Sequence, residues 1–258
     1  MTPQERRGEM AVSVPKKGKI DRIAGAVDRL VDRIARHWLA IFNTIVALFV
    51  LVPFMAPVLT RMGSVGACEP CRTAGRVIYL LYSPTCHQLP ERSYFLFGPQ
   101  HTYTVSELEA SKAIPAGLNI LQREMLRTAG TPATGYKVAL CERDLAIFGS
   151  LLLGGLIFGA ARSILRRRGR EVPRLPVLAY LAALVPMIID GGTQLFGLRE
   201  SDWVLRSITG ALFGLASVWL AYPYIDSAMA DTVAASQQKK ADSARQDSQT
   251  GQDSTVVL

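Results

Sequence analysis

The chain has 258 residues, an apolar content of 49% and a formal net charge of +8. Its apolar residues are concentrated in a few long blocks, which is typical of a membrane protein and excludes one or two ordinary soluble domains. Because the excess Lys and Arg flank these blocks, the charge predicts membrane topology and attraction to anionic lipid, not nucleic-acid binding. The sequence contains no phosphate-binding loop, serine triad or His-Glu-x-x-His zinc helix.

Four blocks have a length that crosses a hydrocarbon core of about 30 Å. The first, "WLAIFNTIVALFVLVPFMAPVLT", is uncharged. The fold class we predict is therefore all-α, an integral membrane bundle of about four transmembrane helices. Three spans with a re-entrant segment are the alternative. The predicted spans are residues 38–60, 144–161, 175–196 and 203–224.

Arginines between the second and third spans set the predicted orientation. Residues 162–174 carry six arginines, and nine Lys and Arg precede the first span. Both segments are expected in the cytoplasm. We therefore predict a multi-pass protein of the cell membrane with cytoplasmic N- and C-termini. The loop 61–143 and the turn 197–202 would then be extracytosolic, while the polar tail 225–258 is expected to be cytoplasmic and disordered.

Two further segments have a helical pattern. Within the cytoplasmic segment 1–37, apolar residues from Ile20 to Ile34 form one stripe, which predicts an amphipathic helix at the membrane interface or against a partner. Glycines at 155 and 159, and at 210 and 214, have the spacing that lets membrane helices approach closely. The runs "VIYLLY" and "SYFLF" in the long loop are too short to span, and one amphipathic helix is expected after them.

All four cysteines lie in the loop 61–143. Disulfides are the default there, and we favour Cys86 with Cys141, although four cysteines allow three pairings. Cys68 and Cys71 form a Cys-x-x-Cys pair that could instead be redox-active. The alternative is a metal site, with zinc as the candidate ion. Its ligands would be Cys86, His87, His101 and Cys141.

Ionisable residues near the ends of the third and fourth spans are candidates for function. Asp190 and Gln194 are four residues apart and share a helix face, and Arg206 lies one turn inside the fourth span. Either Asp190 takes part in chemistry, or it forms a structural ion pair with Arg206. His87 is the other acid/base candidate, or a hydrogen-bonded loop residue.

Three ordered motifs resemble those of a family of small prokaryotic polytopic membrane proteins, a domain of unknown function. They are "CHQLPERSYFLFG", "LCERDLAIFGSLLLGG" and "PMIIDGGTQLFGLRESDWVLRSITGALFG", covering roughly residues 86–214. The resemblance implies the fold and the site region, and no activity. Members often carry a second cysteine where this chain has Asp144. Because this potential ligand is replaced, the departure argues against a metal site in this chain.

The predicted topology brings these three motifs to one extracytosolic site. We expect it to bind or process an anionic lipid or a phosphate-bearing compound, with Asp190 or His87 as acid/base group. The alternatives are a thiol-redox or metal-binding membrane protein, and an accessory subunit of a membrane complex. We also expect the protein to contact the lipid bilayer and to form a homo-oligomer. The predicted substrate-binding residues are Glu91, Arg92, Arg143, Asp144, Gln194, Arg199 and Arg206.

Overall fold

A computed structural model describes residues 18–196, 198–199 and 201–253. Four long helices dominate it, and these are the four in the described residues that are long and apolar enough to cross a membrane. The predicted all-α membrane bundle is confirmed. Residues 1–17 of the predicted basic segment, and two residues of the predicted turn 197–202, lie outside the described ranges. The helices are α1 (Lys19–Ser64), α5 (Glu142–Arg167), α6 (Val177–Leu195) and α7 (Trp203–Asp253).

The segment between α1 and α5 folds into short elements. They are α2 (Glu69–Tyr82), a 3-10 turn (Pro90–Arg92), β1 (Ser93–Leu96), α3 (Val105–Ala110), α4 (Ile120–Leu126), β2 (Gly130–Thr131) and β3 (Gly135–Cys141). The strands form an antiparallel sheet in the order β1-β3-β2. This sheet was not predicted, and the single amphipathic helix expected here is two short helices. We call this segment the loop domain, and the end of the bundle that carries it the loop end.

Two compact units divide the chain, one of residues 38–228 and the other of the flanking terminal segments. In the terminal unit, the predicted amphipathic helix is no separate element, because α1 continues through it without a break. The prediction of a disordered tail is wrong up to Asp253, where α7 ends. Ala, Gln, Lys and Arg, which have high helix propensity, are frequent in the tail, and Lys239 pairs with Asp28 at 2.7 Å.

Close contacts between α5 and α7 hold the larger unit together. A Cβ added at Gly210 would lie 2.8 Å from the Arg143 carbonyl oxygen, and one at Gly214 would lie 2.5 Å from the Ile147 carbonyl oxygen. Real Cβ atoms do not approach a backbone so closely, so only glycine permits this packing. The contact at Gly210 also sets Arg143 beside the first turns of α7.

An aromatic cluster closes the opposite end of the bundle. The ring of Tyr222 on α7 lies 5.4 Å from Trp38 on α1 and 5.5 Å from Phe158 on α5, both edge to face. Beside it, Asp226 accepts from the Trp38 indole and pairs with Arg162 at 2.7 Å. Arginines of the segment 162–174 therefore lie at the end of the bundle away from the loop domain.

Candidate functional site

Three chain segments meet at the loop end. β3 passes directly into α5 at Cys141, the 3-10 turn containing Glu91 and Arg92 leads into β1, and β1 pairs with β3 through Ser93 and Cys141. The C-terminal part of α6 and the first turns of α7 complete the region. The three motifs quoted above are thus brought together.

Arg206 on α7 pairs with Glu142 on α5, and not with Asp190 as the structural alternative predicted. Its guanidinium lies 2.7 Å from the Glu142 carboxylate, and these side chains are 9% and 1% exposed. Further bonds run from Arg206 to the carbonyl oxygens of Glu91, at 3.3 Å, and Ser201. Because both charges are buried and hydrogen-bonded, the pair links α7, α5 and the 3-10 turn in one arrangement.

Asp190 has two other arginine partners. Its carboxylate accepts from Arg143 and Arg199, each at 2.6 Å, and its side chain is 1% exposed. Arg199 also donates to the Thr193 hydroxyl at 3.2 Å. A carboxylate held by two guanidinium groups is well suited to fixing those arginines. The role of Asp190 as acid/base residue stays a prediction.

Arg92 differs from the other arginines at the loop end. Its guanidinium makes no hydrogen bond or ion pair within the part of the chain that the structure describes, although the side chain is half-buried. Burial, and then the neighbouring Arg206 charge, lower the pKa of Arg92. One carboxylate oxygen of the adjacent Glu91 pairs with Arg123 at 3.0 Å, and the other is buried without a hydrogen-bond partner in the described chain. Among the described residues, Arg92 is therefore a cation without an acidic side chain in direct contact.

Two cavities of about 610 Å³ each meet at Arg92. The first, which we call the thiol cavity, is lined by Cys86, Cys141 and Asp144 among others. The second, the Trp203 cavity, lies between the loop domain and the start of α7. The residues shared by both linings are Arg92, Ile120, Gln194 and Arg206.

The remaining predicted site residues are distributed over these cavities. His87 and Arg143 line the thiol cavity, while Glu91 and Arg199 line the Trp203 cavity. His87 is 77% exposed at its side chain and lies 3.9 Å from the Glu124 carboxylate. It approaches neither Asp190 nor Arg206 through any described contact.

The structure contains a different disulfide from the favoured one: Cys68 bonds to Cys71, and Cys86 and Cys141 are free thiols in it. Cys86 and Cys141 are nevertheless neighbours, since the Cys86 sulfur accepts the Cys141 backbone N–H at 3.2 Å. The Cys68–Cys71 bond has a local cause. Cys68 and Cys71 flank the first turn of α2, where a three-residue separation brings two side chains to one side of the chain.

The predicted metal set is not assembled. His101 is exposed, and its backbone oxygen accepts from Phe95 within the loop domain. The donor atoms that do come together are those of Cys86, Cys141 and Asp144, all within 4.8 Å of one another. Thiolates and a carboxylate suit zinc, so this trio is where an ion could be held.

Two buried ionisable residues, Glu142 and Lys137, were not predicted from the sequence. Glu142 stands inside the quoted Cys-Glu-Arg-Asp motif, and its position directly before an apolar block marked it as intramembrane in the same way as Asp190. Lys137 is 1% exposed in the middle of β3 and donates to the Gln88 carbonyl oxygen. Burial lowers the pKa of Lys137 to about 8. No periodicity pointed to it, because β3 was not recognised as a strand.

Comparisons with known proteins agree with the predicted resemblance. Residues 132–220 match the family described as "Predicted membrane protein (DUF2085)". The uncharacterized protein MJ1492 of Methanocaldococcus jannaschii is 29% identical over 177 residues, which cover 68% of this chain and 85% of that relative. No solved structure matches. The similarity to a membrane protein family of unknown function is thus confirmed, and the matched region contains Cys141, Glu142, Asp190 and Arg206.

Proposed function

We propose that the loop end of this membrane protein binds an anionic, phosphate-bearing group at Arg92. The observation that carries the proposal is the half-buried Arg92 guanidinium, which faces two cavities and has no carboxylate partner among the residues that the structure describes. A buried cation is costly unless it is paired, and an anion entering either cavity would supply the missing charge. Arginine presents its N–H groups in a fork that fits two phosphate oxygens.

The neighbouring charges support an anion rather than a cation. Arg206 shares both cavity walls with Arg92, and its Nε is buried without a hydrogen-bond partner in the described chain. Three nearby acids are occupied: Asp190 by Arg143 and Arg199, Glu142 by Arg206, and Asp202 by the Leu205 N–H at 2.7 Å. Asp144 in the thiol cavity and one oxygen of Glu91 in the Trp203 cavity are the exceptions, so we place the phosphate group at the Arg92 guanidinium and against neither acid.

In this proposal Asp190 and Glu142 are positioning residues. Asp190 fixes Arg143 and Arg199, and Glu142 fixes Arg206, so that these guanidinium groups are held before the ligand arrives. Binding then requires little reordering of side chains. We further propose that the loop end faces the extracytosolic side, because the arginine-rich segment 162–174 lies at the other end.

Thermal unfolding of the purified full chain tests the proposal and separates two sources of phosphate. One arm adds inorganic phosphate to protein in neutral detergent; the other compares nanodiscs of phosphatidylglycerol with nanodiscs of phosphatidylcholine. A ligand at 100 times its dissociation constant stabilises by about 2.7 kcal/mol. Stabilisation by inorganic phosphate indicates a soluble phosphate compound, and stabilisation by phosphatidylglycerol alone indicates a lipid headgroup.

The matched variants are Arg92→Gln and Arg76→Gln. Both remove one positive charge, but Arg76 is an exposed residue of α2 that lines neither cavity. We expect the ligand-induced stabilisation to be lost in Arg92→Gln and kept in Arg76→Gln. If no anionic probe stabilises the protein, or if the two variants respond alike, the proposal is wrong.

A further inference from the structure

The free thiols of Cys86 and Cys141 lie together on the wall of the thiol cavity, apart from the Cys68–Cys71 disulfide. We propose that Cys86 and Cys141 form a redox-active dithiol that exchanges with a disulfide-bearing partner, with Cys86 as the attacking sulfur. This inference stands on the cysteine contacts and does not depend on anion binding at Arg92.

Hydrogen bonds distinguish the two sulfurs. The Cys86 sulfur accepts the backbone N–H groups of Cys141, at 3.2 Å, and Gln88, at 3.4 Å. The Cys141 sulfur accepts one such bond, from the Asp144 N–H. Two backbone donors on the Cys86 sulfur favour its thiolate form, which is the nucleophile in thiol–disulfide exchange.

Cys141 is placed to resolve the mixed disulfide. It is the N-cap of α5, and its sulfur accepts the Asp144 backbone N–H at 3.4 Å. The two sulfurs and the Asp144 carboxylate all lie within 4.8 Å of one another. A small side-chain movement would therefore bring the sulfurs to the bonding distance of about 2 Å.

The Cys86 thiolate attacks one sulfur of the partner disulfide, forming a mixed disulfide and releasing the partner's first thiolate. Cys141 then attacks the Cys86 sulfur, the mixed bond breaks, and the second partner thiolate leaves. The Cys141 proton passes to that thiolate, for which the Asp144 carboxylate is the adjacent carrier. The dithiol loses two electrons and the partner disulfide gains them.

The Cys68–Cys71 disulfide serves as an internal control. It lies at the N-terminus of α2, while Cys86 follows the C-terminus of that helix. A helix of 14 residues is about 21 Å long. The two pairs are thus too far apart to exchange directly, and a variant lacking the first pair leaves the second one undisturbed.

The experiment uses the full chain carrying Cys68→Ser and Cys71→Ser, equilibrated in glutathione buffers of graded potential. Remaining thiols are trapped with an alkylating reagent and counted by intact-protein mass spectrometry, and the unsubstituted chain is mapped in parallel. We expect a cooperative, reversible loss of both thiols as the buffer becomes oxidising. When Cys141→Ser is added, a glutathione mixed disulfide should accumulate at Cys86, roughly tenfold faster than at Cys141 in the Cys86→Ser chain.

Three results would overturn the inference. Both thiols could stay alkylatable in oxidising buffer, in the substituted and the unsubstituted chain alike. The mixed disulfide could form at equal rates on Cys86 and Cys141. Elemental analysis could find one zinc ion per chain that protects both thiols, which would assign the Cys86, Cys141 and Asp144 trio to a metal instead.

Discussion

At the scale of single residues, the sequence predicted two of the buried charges at the loop end, but not which residues they pair with. The sequence identified Asp190 and Arg206 as costly intramembrane charges, and both are buried in ion pairs. Their partners were assigned wrongly, because the close contact of Gly210 with the Arg143 backbone decides which side chains face each other. A single sequence contains no signal for such a contact between two helices.

A double-mutant cycle tests the corrected pairing. Glu142→Gln and Arg206→Gln should each destabilise the protein by about 3 to 5 kcal/mol, because each leaves one buried charge unpaired. The double variant should be milder than the sum of the two. Unfolding in detergent measures the coupling, and the Asp190→Asn/Arg206→Gln cycle is the control, with a smaller coupling energy expected. Equal coupling in both cycles would contradict the assigned partners.

Lys137 predicts a specific pH dependence of stability. Its pKa is about 8 in the folded protein and 10.5 when unperturbed. Between these values the unfolded chain binds a proton that the folded chain does not, so stability rises with pH. Over this pH range the free energy of unfolding should rise by roughly 3 kcal/mol in total.

The comparison for this prediction is Lys137→Met, which cannot titrate. Chemical unfolding between pH 8 and 10.5 should show a steeper increase of the unfolding free energy in the unsubstituted protein than in the variant. Parallel curves would mean that Lys137 is not a buried, deprotonatable lysine.

At the scale of elements, the spans could be predicted because composition alone identifies them. The small sheet could not. β2 has two residues, β3 carries Lys137, and β1 pairs with β3 across a separation of 40 to 48 residues. The apolar run "SYFLF" contains β1, but a run this short does not distinguish a strand from a helix, and no alternation marks β3. The helical tail was missed because a polar composition, low in aromatics and without periodicity, was taken for disorder, although many of its residues favour helix.

Glycine packing between α5 and α7 gives the prediction at this scale. Gly214→Ala should destabilise the bundle by about 1 to 3 kcal/mol, since the new Cβ would overlap the Ile147 carbonyl and the Ser150 side chain. Gly149→Ala on α5 is the control, because a Cβ there has no neighbour within 4 Å. Thermal unfolding in one detergent compares them, and equal shifts would refute the close approach.

At the scale of the whole molecule, the separation of charge between the two bundle ends links topology to function. Arginines of the segment 162–174 gather around Asp226 at one end, where Arg166 lies 2.9 Å from that carboxylate. The loop domain and both cavities lie at the other. If the first end is cytoplasmic, the proposed anion and thiol sites are open to the extracytosolic space.

Thiol labelling in intact cells tests this orientation. After mild reduction, a membrane-impermeant maleimide should label Cys68 and Cys71, which are both partly exposed. A chain in which all four cysteines are serine is the control and should lose that labelling. Labelling that requires permeabilised cells would reverse the orientation.

Direct binding of a phosphate ester to the loop end tests the central claim. Isothermal titration of the purified chain in neutral detergent with glycerol 1-phosphate uses a probe that is both a soluble compound and a fragment of a lipid headgroup. We predict saturable binding of one molecule per chain, weakened about tenfold or more by Arg92→Gln and unchanged by Arg76→Gln. Absence of saturable binding, or equal affinity in both variants, would contradict the account.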